Sequence, residues 1–265
     1  MNLKIYLMID MRCILTHRAY PCVVEKFEAS FDKEKLNCKE YWFAFKDLQS
    51  KISYNKCPIC EVTFNQYPNK TNTATLDHFR PKDIDMYPDL KCEPKNYLLM
   101  CSLCNNIYKD NKFPLIDDRQ RFKNEEPLLF NPIDKNPLDF FKLAFLETPI
   151  GGVMQLEPKN SDKDSYEHKI SERTIKMFSL RYCNEDSCQY KRTEWNQEKK
   201  ENESINVTQV SNHILREHYR NFIELSKARS NKKSLALFFK DENRKKELEK
   251  YGFFRFIMKE QFSIN

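Results

Sequence analysis

Apolar positions recur at helical spacing near both ends of the chain and lose that period in the middle. Val23, Val24, Phe27 and Phe31, followed by Tyr41, Trp42, Phe45 and Leu48, fall on helical faces. Residues 21–52 therefore predict a pair of amphipathic helices, with Pro21 suited to a first turn. Residues 53–115 break the pattern and gather turn formers: Pro68, Asn69, Asn72, Pro81, Pro88 and Pro94. One short strand fits 73–78, and a short helix fits the segment from Asn105. Residues 140–146 alternate and can pair with 153–156 across Thr148-Pro149-Ile150-Gly151-Gly152. Residues 170–180 return to the helical period. So do residues 211–260, through Ile214, Leu215, Tyr219, Phe222 and Leu225, then Leu235, Leu237, Phe238 and Phe239. The run QEKKENES at 197–204 reads as a solvated helix end or a linker. The expected fold class is α+β: a helical region over 1–52, an irregular module over 53–160, and a helical region over 161–265.

Composition narrows the chemistry. The chain has 265 residues, with 20 Phe and 13 Tyr, which calls for packed cores rather than disorder. Three glycines leave no room for a glycine-rich phosphate loop. No apolar run reaches the roughly 18 residues of a membrane helix. The first residues carry Lys4, Asp10 and Arg12 and no small-residue cleavage site, so no secretory signal is expected. Met11-Arg12 could be a better natural start than Met1. Ten cysteines in such a chain read as cytoplasmic thiols and metal ligands rather than disulfides. In that compartment the Asn-x-Ser/Thr triplets at Asn69, Asn202 and Asn206 mean nothing. A net charge of +6 leans toward an anionic partner.

The cysteines carry the strongest pattern. Cys57-Pro58-Ile59-Cys60 and Cys101-Ser102-Leu103-Cys104 are two knuckles, each able to turn two thiolates toward one ion. Together they make the closed four-sulfur shell of a structural zinc site and pin the forty residues between them as one loop. Asp77-His78 and Asn96 stand inside that loop, and Asn105 follows the last cysteine. Phosphodiester hydrolysis needs a base for water, a cation for the developing charge and a held phosphate. A neutral imidazole can supply the base, and a carboxylate with an amide oxygen can hold a hard divalent ion.

The order CxxC, Asp-His, xx-Pro, Asn, CxxC-Asn, xxx-Lys resembles the HNH endonuclease family in its zinc-knuckle, ββα-metal form. The matching residues are Cys57, Cys60, Asp77, His78, Pro81, Asn96, Cys101, Cys104, Asn105 and Lys109. The resemblance implies a β-hairpin followed by a helix. It makes His78 the general base, Asp77 and Asn105 ligands of a catalytic Mg²⁺ or Mn²⁺, and Asn96 the brace of the loop carrying the histidine. Asn105 stands where the family often has His, and an oxygen ligand there favours a harder metal.

Asp77-His78-Phe79-Arg80-Pro81-Lys82, Cys104-Asn105, Lys109-xxx-Phe113-Pro114-Leu115 and the later Pro127-Leu128-Leu129-Phe130-Asn131-Pro132 look more narrowly like the HNH subunit of Septu-type and retron-associated anti-phage systems. That likeness covers residues 55–155 and implies an ATPase partner subunit as well as a nucleic-acid substrate, DNA or RNA. Arg80, Lys82, Lys109 and Lys112 flank the site as candidate phosphate contacts. Cys13, Cys22, Cys38 and Cys92 read as buried small hydrophobes, Cys183 and Cys188 as half of a site without a partner, and His168, His213 and His218 as helix or surface residues. Two other classes share parts of this pattern. A catalytically inactive zinc-stabilised module that binds nucleic acid or protein needs the four cysteines but not Asp77, His78 and Asn105 together. A thiol–disulfide protein needs one exposed CxxC in a βαβ setting.

Overall fold

The computed structural model describes residues 11–30, 38, 42–64, 72–184, 191–196 and 201–230. Its first two helices, α1 (Tyr20–Ser30) and α2 (Trp42–Ile52), are the expected pair. Phe31 and Tyr41 lie outside the described residues. Helix α2 buries Phe45, Leu48 and Gln49. Phe45 meets Tyr20 and Tyr97 edge-on, with ring centroids 6.5 and 5.4 Å away.

Two short antiparallel strands follow, β1 (Ala74–His78) and β2 (Tyr97–Cys101), in register from Ala74↔Cys101 to His78↔Tyr97. Every residue of β2 is buried, so its second edge cannot be satisfied by water. Gln49 fills that role. Its amide donates to the Tyr97 carbonyl (2.8 Å) and accepts from Leu99 N–H (2.7 Å), as a neighbouring strand would.

The chain then turns through Leu103–Lys109, a π-helical segment closed by Asp110 N–H donating to the Asn105 carbonyl at 2.6 Å. After a single turn, α3 (Pro137–Phe140), comes the expected hairpin of β3 (Phe141–Thr148) and β4 (Gly151–Pro158). Gly151 takes φ +101° at the turn, and a Cβ on Gly152 would run into the Tyr219 ring. Helix α4 (Tyr166–Met177) is capped by Ser165, whose hydroxyl accepts from His168 N–H at 3.2 Å.

A further hairpin, β5 (Lys191–Asn196) with β6 (Glu201–Asn206), corrects the reading of 197–204 as helix end or linker, since residues 201–204 are strand. Lys, Glu and Asn disfavour strands, and cross-strand pairing overrides that preference here. Residues 197–200 lie outside the described residues. Helix α5 (Val207–Ser230) carries Ile214, Leu215 and Tyr219, and the helical expectation for 231–260 again falls outside. The fold is α+β around a buried four-cysteine cluster. One apolar core runs from Met11 and Ile14 through the cysteines, β2 and β4 to Ile170, Val207 and Ile214. Among the described residues no helix is long and apolar enough to cross a membrane.

Candidate functional site

Cys57, Cys60, Cys101 and Cys104 are buried, and their sulfurs all lie within 4.8 Å of one another. Cys60 Sγ and Cys101 Sγ are 3.6 Å apart. A tetrahedron with zinc–sulfur bonds near 2.3 Å has edges of about 3.8 Å, so the four sulfurs could hold one zinc ion. The local fold explains the gathering. Lys56 and Thr63 bridge, Cys57 N–H donates to the Val62 carbonyl (3.0 Å), and Glu61 closes the turn at φ 56°. The second knuckle joins the end of β2 to the π-helical segment, with Cys104 N–H donating to Cys101 Sγ at 3.4 Å. Helix α5 covers the cluster. His218 Nε2 bonds the Cys60 carbonyl at 3.0 Å, and the Tyr108 hydroxyl bonds the Val207 carbonyl (3.2 Å) and Ser211.

Asp77 and His78 end β1 and share a cleft of about 230 Å³ with Asn105, Trp42 and Lys82. Successive strand residues face opposite sides, which here separates their supports. His78 turns toward α2, edge-on to Trp42 (5.6 Å) and Tyr97 (5.3 Å). Its Nε2 lies 2.8 Å from the Lys91 carbonyl. A carbonyl can only accept, so Nε2 carries the proton and Nδ1 keeps the lone pair. Burial lowers this imidazole to about 4 despite that bond, and it is neutral at pH 7.

Asp77 turns toward the π-helical segment. The Lys109 ammonium sits 3.3 Å from Oδ1 and 3.0 Å from Oδ2, and also donates to the His78 carbonyl at 3.0 Å. Only the Oδ1 contact has hydrogen-bond geometry, which leaves Oδ2 a buried acceptor without a hydrogen-bond donor. Burial pushes Asp77 up to about 6 while Lys109 opposes it, so the carboxylate is ionised at neutral pH. Asn105 donates its amide to Thr75 Oγ1 at 3.0 Å, which turns Oδ1 away from that bond as the remaining ligand atom.

Asn96 lies behind the cleft. Its side chain accepts from Arg80 N–H (2.7 Å) and donates to the carbonyls of Arg80 (2.9 Å) and Leu90 (3.1 Å). Its backbone carbonyl takes Phe79 N–H at 2.8 Å.

No family model and no solved structure matches the chain. A curated relative does. The chain is 30% identical over 152 residues to the Septu protein PtuB of Bacillus mycoides (strain KBAB4), covering 51% of this chain and 46% of that protein. The chain thus spans about half the length of the curated relative it matches.

The four cations expected around the site separate. Lys82 lines the cleft, its ammonium 5.2 Å from the centre of the Trp42 ring. Lys109 is a correction: its side chain is 0% exposed and tied to Asp77, out of reach of a phosphate. Its four methylenes fill core space while its head neutralises a buried carboxylate. Arg80 is held by Glu125 at 2.8 Å and packs 5.5 Å from the Phe113 ring. Lys112 donates to the Tyr108 carbonyl (3.0 Å) and lines a different cleft.

The cysteine expectations also need correction. Cys38 and Cys92 form a disulfide rather than separate thiols, and Cys13 and Cys22 are exposed rather than buried. Cys183 is disulfide-bonded too, and Cys188 lies outside the described residues. The Cys38–Cys92 bridge adjoins Lys91, whose carbonyl accepts from both His78 and the Tyr97 hydroxyl (3.1 Å). His168 lies on α4 and His213 and His218 on α5, and of the three His218 is buried. Sequence reasoning missed Trp42, Asp110 and Asn111 in the cleft, Gln49 on the edge of β2 and His218 over the cysteine cluster. Only Trp42 had a visible cue, as an aromatic on the face of α2.

Proposed function

We propose that this chain is a metal-dependent HNH (ββα-metal) endonuclease that hydrolyses nucleic-acid phosphodiester bonds in an anti-phage defence system of the Septu kind. The observation that carries the reading is the convergence of Asp77, His78 and Asn105 on one cleft, beside a four-thiol cluster that needs none of them. Similarity to a Septu protein supports the defence setting. In this reading His78 Nδ1 takes the proton of the attacking water, while Lys91 holds the ring through Nε2. Lys82 contacts a phosphate, and Asn96 keeps the 78–80 backbone in place.

Asp77 and Asn105 hold the catalytic cation. The buried Asp77 Oδ2 without a hydrogen-bond donor and the amide oxygen of Asn105 are hard ligands that suit Mg²⁺ or Mn²⁺. When bound, the cation supplies charge neutralisation at the scissile phosphate. The four cysteines hold a structural zinc ion. Residues 53–160 form the nuclease module, and an ATPase subunit is its partner in the cytoplasm.

The full chain, loaded with zinc, should cut DNA or RNA with Mg²⁺ or Mn²⁺ and stop on EDTA. His78→Ala should lower the rate by about 10²–10⁴ in protein that remains folded and zinc-loaded at the assay temperature. Assays with and without the partner ATPase place any need for it. Normal cleavage by His78→Ala would remove the proposed base.

One observation favours the inactive binding module as a second reading: the Lys109 ammonium already neutralises Asp77. Salt-dependent binding of nucleic acid, with no cleavage under any metal or partner condition, would select it.

A further inference from the structure

A second cleft, of about 480 Å³, shares a wall with the first. Asn105, Asp110 and Asn111 face the Asp77–His78 cleft, while Ile107, Tyr108 and Lys112 of the same segment face the second. Its opposite wall is the last turn of α4 and the chain beyond, with Arg173, Lys176 and Arg181. Among the described residues four cations line it and no carboxylate does. Glu172, outside the lining, takes Arg181 as a fork at 2.9 and 3.2 Å and Lys176 at 3.4 Å.

The bland reading is compensation of the α4 dipole, which favours a cation in the last turn. A helix C-terminus presents about −0.5 charge. With the full charge of Glu172 added, the four cations still leave a surplus of about +2.5 among the described residues. Arg173 and Lys176 are exposed and one turn apart, so solvent rather than protein meets that surplus.

We propose that this cleft binds the phosphodiester backbone of a nucleic-acid strand running on from the Asp77–His78 cleft. The proposal rests on the nuclease reading for the strand's origin. Lys112 lies two residues past Asp110, at most about 7 Å along the chain, so a strand leaving the first cleft meets the second within a nucleotide or two. Cations on both walls suit a chain of phosphates better than a single one. Tyr108 and Ile107 give the floor an apolar face for the sugars or bases.

The test uses the full zinc-loaded chain without Mg²⁺ or Mn²⁺, so that nothing is cut. Anisotropy of a fluorescein-labelled oligonucleotide is followed against salt. Arg173→Glu with Lys176→Glu should weaken binding about tenfold or more at low salt. It should also flatten the slope of log K against log salt by about 1.4 for a single strand or 1.8 for a duplex. Arg173→Gln with Lys176→Gln should give a smaller loss at the same unfolding midpoint. Unchanged affinity, or a loss without a change of slope, would overturn the proposal. So would displacement by polyglutamate, or by inorganic phosphate, as effective as by unlabelled oligonucleotide.

Hydrolysis of bis-para-nitrophenyl phosphate with Mn²⁺ separates the two readings. That small ester should depend on His78 and ignore the charge reversals. No hydrolysis alongside reduced oligonucleotide binding would sink the active-site reading and leave the second cleft standing.

Discussion

Buried polar side chains, each with a named partner, decide the shape of the candidate site. Arg80 stands two residues beyond His78, and Glu125 holds it there. The same carboxylate accepts from the Tyr87 hydroxyl at 2.5 Å and from Arg80 Nε at 2.8 Å. Burial pushes Glu125 up, but the Tyr87 and Arg80 bonds outweigh it and hold the carboxyl below its usual value. A carboxyl lowered on folding stabilises the native state above its unfolded pKa, near 4.5, and loses that contribution as pH falls through the folded value. Glu125→Gln should therefore be less stable than the parent at pH 7. The gap should close as pH drops below about 4.5, which chemical denaturation across pH would read. A gap independent of pH would mean that the charge of Glu125 plays no part. At this scale the sequence was legible for the four cysteines, because CxxC spacing itself encodes a knuckle. Lys109 was not legible: a lysine on a helical turn reads the same whether it meets a phosphate or a buried Asp77.

Elements were legible where local pattern and tertiary setting agree. The β3–β4 hairpin follows from alternation plus a glycine turn, and α2 from its apolar face. The β5–β6 hairpin was hidden because its charged residues carry no period-two apolar signal. The Cys38–Cys92 link was hidden for another reason: it joins residues 54 apart, and only the fold brings them together. That bridge ties the segment before α2 to the loop that supplies the Lys91 carbonyl to His78. Chain entropy assigns a loop of this length up to about 4 kcal/mol, and less once the four-thiol cluster already shortens it. Cys38→Ser with Cys92→Ser should lower stability by about 3 kcal/mol in guanidinium unfolding, with zinc content unchanged. An unmoved midpoint would show that the pair does not constrain the loop.

For the molecule as a whole, the four-cysteine cluster joins segments that lie far apart in the chain. The first knuckle follows α2, and the second ends β2 and opens the π-helical segment that carries Asn105 and Lys109. Helix α5 closes over the cluster through His218 on the Cys60 carbonyl and through Tyr108 on Val207 and Ser211. The same helix presses Tyr219 onto Gly152 of the β3–β4 hairpin. Four thiols buried together within 4.8 Å of one another are clustered by the knuckles that a metal would hold, so metal and packing should be lost together. If the cluster holds the proposed zinc, stripping it with a strong chelator should remove hydrogen-exchange protection from β1–β2 and from residues 207–230 in one step. The β3–β4 hairpin and α4 should retain theirs longer, because Thr174 Oγ1 on Phe130 N–H (2.9 Å) and Ser171 on the Phe140 carbonyl (2.7 Å) hold them without the cysteines. If α5 kept its protection while the knuckles opened, the helix would be seated by the hairpin alone. The cluster would then organise only the Asp77–His78 cleft rather than the whole core.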